Sequence, residues 1–317
     1  MPTPTAGYKY STPSATFESS GTLAASWTTA AGNWNSATHF TLTAGTNPHF
    51  TATDTYYDNV TWDGITYTTP TTTGIVAINQ CFLNTFFTSQ PHYTQDIING
   101  IATHEFGHAI GLAHNNTNTA SVMYPYTFQP GTTTPARVNV PGQDDIEAVN
   151  TLYATSTTSV SASSAYDYET ICLHPSWAYQ YEDIGQMYKH ADIVVIGEIT
   201  HNHEAIKIGK HLFHHYSPST LKVEEVLKGD ASLNDTEIIL RQLGGEVNGV
   251  RVISDASTPL KKNHRFLLFL KKSHFGYYPI NENEGIYKYC EPEPIFINLA
   301  SGHTLGRHEL LPPGMSR

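Results

Sequence analysis

The stretch H-E-F-G-H-A-I-G-L-A-H, His104 to His114, decides how this chain is read. On a helix His104 and His108 lie one turn apart, so both imidazoles leave the same face about 6 Å apart along the axis. That spacing suits two ligands of one tetrahedral zinc ion. Glu105 sits beside the pair and outside it, where a carboxylate can hydrogen-bond a metal-bound water and take its proton. Gly111 can adopt a backbone conformation closed to bulkier residues, so the helix can stop and the chain can turn. His114 then swings back as the third protein ligand. A fourth position stays open for water or substrate, which marks a catalytic zinc site rather than a structural one. H-E-x-x-H alone arises by chance on amphipathic helices; five fixed positions together favour the metal reading.

H-E-x-x-H-x-x-G-x-x-H resembles the zinc signature of the metzincin metallopeptidases, which also carry a methionine turn downstream. Here that turn is Ser121-Val122-Met123-Tyr124-Pro125, nine residues after His114. The resemblance implies that Met123 is an apolar floor under the histidines and not a ligand. S-V-M-Y-P is similar to the turn of the matrixin group and its bacterial relatives, whereas the astacin and serralysin groups place a tyrosine where this chain has Pro125. Residues 141–153, P-G-Q-D-D-I-E-A-V-N-T-L-Y, resemble the closing helix of matrixin catalytic domains. Together these cover roughly residues 8–153. In that family a strand ahead of the zinc helix pairs with extended substrate. Gly74 to Asn79 reads as that strand, which makes Ile75, Val76, Ala77, Ile78 and Asn79 the expected substrate contacts, because edge strands offer unpaired amides. The loop Phe128 to Pro141 would wall the pocket for the residue after the scissile bond. Of Asp144 and Asp145, the resemblance implies that one binds a new amino terminus; the alternative is that both favour the helix macrodipole. The histidines His39, His49 and His92 lack the spacing of a second, structural zinc, so one catalytic zinc is expected.

Composition bounds the rest. The chain has 317 residues and a net charge of −11, room for two domains with no basic run for nucleic acid. No stretch of about 18 apolar residues exists to span a membrane. The start, Met1 to Thr5, is neither basic nor apolar and so is no secretory leader. That leaves either a cytoplasmic protein or a secreted one with its leader removed, and the polar, threonine-rich first half favours the secreted, extracellular reading.

In chain order, a short strand is expected near Tyr8–Tyr10. Leu23, Trp27, Ala30, Ala31 and Trp34 recur at helical spacing, and residues 39–43 and 49–53 alternate as strands. Tyr56 to Gly64 holds Asp58, Asn59, Asp63 and Gly64. It reads either as a calcium loop with oxygen ligands or as a solvated turn. Residues 154–165 form a Ser/Thr/Ala linker. Before residue 160 the only basic residues are Lys9 and Arg137, and the remainder holds fifteen, which places the domain boundary there.

The second half reads as strands: Ile193 to Glu198, Leu221 to Val226, Ile238 to Leu240 and Phe266 to Leu270. Their order resembles the OB-like barrel of netrin-type modules, the group that includes tissue inhibitors of metalloproteinases. Those inhibitors chelate zinc through an amino-terminal cysteine, whereas Cys172 is internal. Cys172 and Cys290 are expected to form a disulfide in an oxidising compartment. The histidines His201, His203, His211, His214 and His215 read either as a metal cluster or as a solvated loop.

The expected architecture is therefore an α+β metzincin catalytic domain, a twisted sheet plus active-site helix, over residues 1–153. A 154–165 linker and an all-β, OB-like accessory barrel over 166–317 follow. The expected function is a zinc endopeptidase acting on protein or peptide substrates. Two alternatives stay open: a protease self-inhibited by contact with its carboxy-terminal domain, and a secreted binding protein in which that domain replaces activity.

Overall fold

The computed structural model describes residues 1–69, 79–154, 170–181, 183–291, 295–306 and 309. They fall into two units, Met1–Asp58 with Trp62–Gln180, and Asn59–Thr61 with Tyr181–Arg317. The first unit therefore runs past the 154–165 boundary read from composition.

Threonine-rich runs with an apolar residue at every second position build the sheet of the first unit. In β1 (Ser14–Ser19) Ala15 and Phe17 are buried, and in β3 (Phe50–Thr55) Phe50 and Ala52 are buried. With β2 (Thr41–Ala44), β4 (Trp62–Thr68) and β5 (Asn79–Asn84), the order is β2-β1-β3-β5-β4. The first four pair in parallel and β4 is antiparallel to β5. Two further strands, β6 (Tyr126–Phe128) and β7 (Thr170–Tyr179), extend this sheet beyond β4.

Helix α1 (Ala24–Ala37) presents the expected stripe, burying Trp27, Ala30, Ala31 and Trp34. A single turn, α2 (Thr85–Thr88), follows β5. Helix α3 (Gln95–Ala109) carries the zinc signature. Thr94 caps it by accepting from the Ile97 amide, and Asp96 lies in its first turn where the helix dipole favours an acid. Phe106 plugs α3 into the core, stacked on Trp27 at 5.2 Å and edge-on to Phe17 and Phe50 at 5.1 Å. Trp34 Nε1 donates to Thr103 O at 2.9 Å, locking α1 to α3. Helix α4 (Gln143–Leu152) closes the domain.

Three expectations differ from the structure. The first strand lies at Ser14–Ser19, and Tyr8 and Tyr10 are core residues instead. Asp63 and Gly64 belong to β4 and not to a loop, and Asp63 is fully buried, which removes it from any calcium loop. Of the expected substrate strand, Gly74 and Ile75 to Ile78 lie outside the described residues. Asn79 opens β5, an interior strand between β3 and β4, and its amide donates to Ala109 O at 3.1 Å. It satisfies a carbonyl at the end of α3, which is a helix-end role and not a substrate contact.

The second unit contains α5 (Ile184–His190), β8 (Ile193–Asn202), β9 (Ile206–Lys207), β10 (His215–Lys228), β11 (Glu237–Leu243), β12 (Gly245–Val247) and β13 (Val250–Ser254). It continues with β14 (Arg265–Ser273), β15 (Gly276–Pro279), β16 (Ile286–Cys290), β17 (Ile295–Asn298) and β18 (Thr304–Gly306). The order β15-β11-β10-β8-β14 closes on itself because β14 also pairs with β15, giving a five-stranded barrel. The unbroken apolar run Ile193 to Ile196 now has a cause. Ile193 and Val195 join one core cluster with Leu221, Leu240 and Leu268, while Val194 and Ile196 join a second with Met187, Tyr188 and Phe296. Strand residues alternate in direction, so a strand covered on both faces is apolar throughout. The expected Cys172–Cys290 disulfide does not form. Both residues are thiols, one in β7 of the first unit and the other in β16 of the second. No helix among the described residues is long and apolar enough to cross a membrane.

Candidate metal centre and active site

Helix periodicity puts His104 and His108 on one face of α3, and the break after Ala109 brings back the third histidine. Ile110 caps α3, and Gly111 takes φ +105°, a left-handed conformation that favours glycine. A Cβ there would also lie 2.6 Å from Tyr8 O. The turn is held from outside: the Tyr8 hydroxyl donates to His108 O, and the Tyr153 hydroxyl to Ile110 O at 2.8 Å.

The three imidazoles converge. His108 Nε2 lies 3.1 Å from Nε2 of His104 and 3.1 Å from Nε2 of His114. The opposite nitrogens explain why these atoms are lone-pair donors. His104 Nδ1 lies 2.7 Å from Val122 O and His108 Nδ1 lies 2.9 Å from Leu112 O. A carbonyl only accepts, so both Nδ1 atoms carry hydrogen and both Nε2 atoms are left with a free lone pair. Lone pairs pointed at one another repel unless a cation sits between them. Tetrahedral zinc with bonds of 2.0–2.1 Å needs ligand nitrogens about 3.3 Å apart, close to the observed separation. The residues therefore fit zinc. Among the described residues, this is the only group of three or more His, Cys, Asp or Glu side chains that converge on one point. The histidines of the second unit are not gathered in that way.

Met123 is fully buried, as expected of a floor. A Cβ on Gly107 would lie 2.2 Å from Met123 Sδ, so this glycine lets α3 settle onto the methionine turn. Asp145 fixes the turn, accepting from the Ser121 hydroxyl, the Val122 amide at 2.8 Å and the Gly142 amide at 2.9 Å. Val122 then presents its carbonyl to His104. Asp145 thus orients a ligand at one remove, a role its place in the first turn of α4 does not reveal. Asp144 lies 3.6 Å from the Met1 amine and accepts from Asn118 at 2.7 Å.

Glu105 is fully buried, with one oxygen 2.6 Å from the Thr66 hydroxyl and the other 2.7 Å from the Ser176 hydroxyl. Burial pushes its carboxyl up to about 8, against the pull of Thr66, Ser176 and Arg137. A divalent cation at the histidines would favour the ionised form. Burial, then the nearby Arg137 charge, holds His104 well below the usual histidine range, so it is neutral and able to ligate. Gly64 makes the approach of β4 feasible, since a Cβ there would lie 2.3 Å from Glu105 Oε1. The register of β4 against β7 shifts between Trp62 and Gly64, a bulge at Asp63. Bulges re-aim side chains beside active sites, and Asp63 accepts from the Tyr93 hydroxyl at 3.0 Å and lies 3.2 Å from Ser176 Oγ. Arg137 is buried near both carboxylates and donates to Tyr124 O at 3.0 Å.

Sequence reading named His104, His108 and His114 as candidate ligands, with Glu105, Gly111 and Met123, and the structure brings the three histidines together. It missed Thr66, Arg137 and Ser176, and it named Asp63 only as part of a calcium loop or turn. Arg137 carried a signal, as one of two basic residues in the first half; the others carried none.

Residues 13–154 match the matrixin family. Stromelysin-1 of Equus caballus is 43% identical over 72 residues, which make up 21% of this chain and 14% of that protein. The chain thus matches only a small part of the length of this relative.

Proposed function

We propose that the matrixin-like domain at residues 13–154 is a zinc-dependent endopeptidase that hydrolyses peptide bonds in proteins. The convergence of three histidine Nε2 atoms beside a buried carboxylate carries this reading. When bound, zinc supplies a Lewis acid that activates water and polarises the scissile carbonyl. Glu105 takes the proton of the attacking water and passes it to the amine nitrogen as the C–N bond breaks. Thr66 holds one Glu105 oxygen and so aims the other. Asp145, through Val122, keeps the His104 ring in its ligating orientation.

The threonine-rich, nearly lysine-free composition of the first half supports an extracellular setting. The closed five-stranded barrel of the second unit supports an OB-like accessory module.

The test is cleavage of casein by the wild-type chain and by Glu105→Gln, with zinc content measured in both. The expected result is one zinc per chain in each protein and a rate about 10²–10⁴-fold lower in the variant, the usual worth of a general base. Cleavage by the variant at the wild-type rate removes Glu105 as the base. A folded wild-type chain that binds no zinc overturns the proposal.

A further inference from the structure

Strand β7 lies next to β4 in the sheet, beside the candidate metal ligands. It runs antiparallel to β4, with Cys172 opposite Thr68, Leu173 opposite Tyr67, His174 opposite Thr66, Pro175 opposite Ile65 and Ser176 opposite Gly64. On its other side it runs parallel to β6, with Trp177 opposite Tyr126 and Tyr179 opposite Phe128. The Trp177 amide donates to Pro125 O at 2.8 Å, immediately after the methionine turn. An extended peptide is thus clasped on both edges, the way a strand added to a sheet is recognised.

The centre of β7 lies on the chemical groups themselves. The His174 ring stacks on the ring of His108 at 4.8 Å and 17°. Ser176 places its hydroxyl on Glu105 Oε1, as described above, with Asp63 on its far side. The Pro175–Ser176 region therefore sits where a peptide to be cut would have to lie. The Ser176 hydroxyl holds the carboxylate oxygen that would otherwise take a proton from water. Leu173 and Ser176 are fully buried, and Trp177 is 5% exposed, so the strand is seated and not loosely apposed.

We propose that Thr170–Tyr179 is a substrate-like strand by which the intact chain fills and inhibits its own cleft. This rests on the endopeptidase reading above. Turnover requires β7 to leave β4, and a substrate competes with it for the same backbone edge. In the seated state the Pro175–Ser176 bond stays intact.

The experiment compares three full-length chains: wild type, Leu173→Asp combined with Trp177→Asp, and Ser176→Asp. The double variant puts two carboxylates at buried positions of β7, away from the metal ligands. Ser176→Asp instead sets a third carboxylate beside Glu105 and Asp63, leaves the flanks of the strand untouched, and serves if the double variant fails to fold. Casein cleavage is measured with zinc content, and amide hydrogen exchange at Gly64 to Thr68 is followed with and without zinc. We expect at least a tenfold faster cleavage in the variants, zinc still bound, and β4 amides exchanging at least a hundredfold faster than in wild type, zinc or no zinc. Faster exchange in folded variants without faster cleavage overturns the inhibition alone. So does wild type cut between Pro175 and Ser176 in its own mass spectrum, since β7 would then be a substrate. Rapid exchange of β4 in wild type shows an empty edge and overturns the occupancy. Absence of cleavage by all three zinc-loaded chains overturns the endopeptidase reading and the inhibition with it.

Discussion

At the scale of single residues, the site depends on what is missing as much as on what is present. Gly64 and Gly107 have no side chain where one would collide with Glu105 Oε1 and with Met123 Sδ. Gly64→Ala would push a methyl into a space shared by Glu105, Ser176 and Ile101, all of them buried and hydrogen-bonded or packed. The Glu105 carboxylate is the mobile member, so it should be displaced while the ligands stay. The expected outcome is a drop of roughly 10²-fold in cleavage, the scale for a misplaced catalytic group, with zinc content unchanged. Zinc lost along with activity would place the strain in α3 instead. The ligands were legible in the sequence because one helix and one turn carry all three. Thr66 was not, because its contact with Glu105 spans 39 positions and nothing in T-Y-T-T marks it.

At the scale of elements, the zinc helix is positioned by three neighbours. Helix α1 packs Trp27 and Trp34 on it, the start of α4 holds the methionine turn, and β4 brings Thr66 and Asp63 alongside. The periodicity of α1 and α3 was readable because each helix buries a continuous stripe. The identity of the strand beside Glu105 was not readable. Gly74 to Asn79 is apolar and lies just before the helix in sequence, yet β4, whose first residues fell in the segment read as a calcium loop or turn, is the strand that faces Glu105. Burial on both faces and a bulge at Asp63 hide the usual alternation. The α4 contact gives a clear test. Asp145→Ala strips the acceptor from the Val122 and Gly142 amides and from Ser121, all buried or half-buried donors. The expected cost is about 3 kcal/mol of stability, read by urea unfolding. Zinc affinity should weaken about 10-fold, as for other groups that orient a ligand indirectly, read by chelator competition. Unchanged affinity would mean that His104 is oriented without Val122.

At the scale of the whole molecule, the chain forms two units, and each contains a buried acid. In the second, Glu282 is buried, bonded by the Ser257 hydroxyl at 2.9 Å and the Leu243 amide, and burial pushes its carboxyl up to about 8. A carboxyl raised on folding keeps its proton longer in the folded state. Its contribution is therefore full below the unfolded value near 4.5 and is lost as pH rises towards 8. The second unit should lose roughly 1.4 kcal/mol per pH unit across that window, and Glu282→Gln should flatten the slope, measured as melting temperature between pH 5 and 8.5. An unchanged slope would assign the pH dependence to other groups. The sequence by itself singled out the three histidines that converge, the carboxylate beside them, the α+β order of the first half and the strand-rich second half. All of these follow from local spacing, which fixes which face of a helix or strand a side chain takes. Only the tertiary structure decided that residues 170–179 join the first unit, that they lie along β4, and that Ser176 meets Glu105. Those pairings join positions 71 to more than 100 residues apart, and backbone hydrogen bonds between strands are made by every sequence alike. No local pattern could have encoded which edge β7 would take.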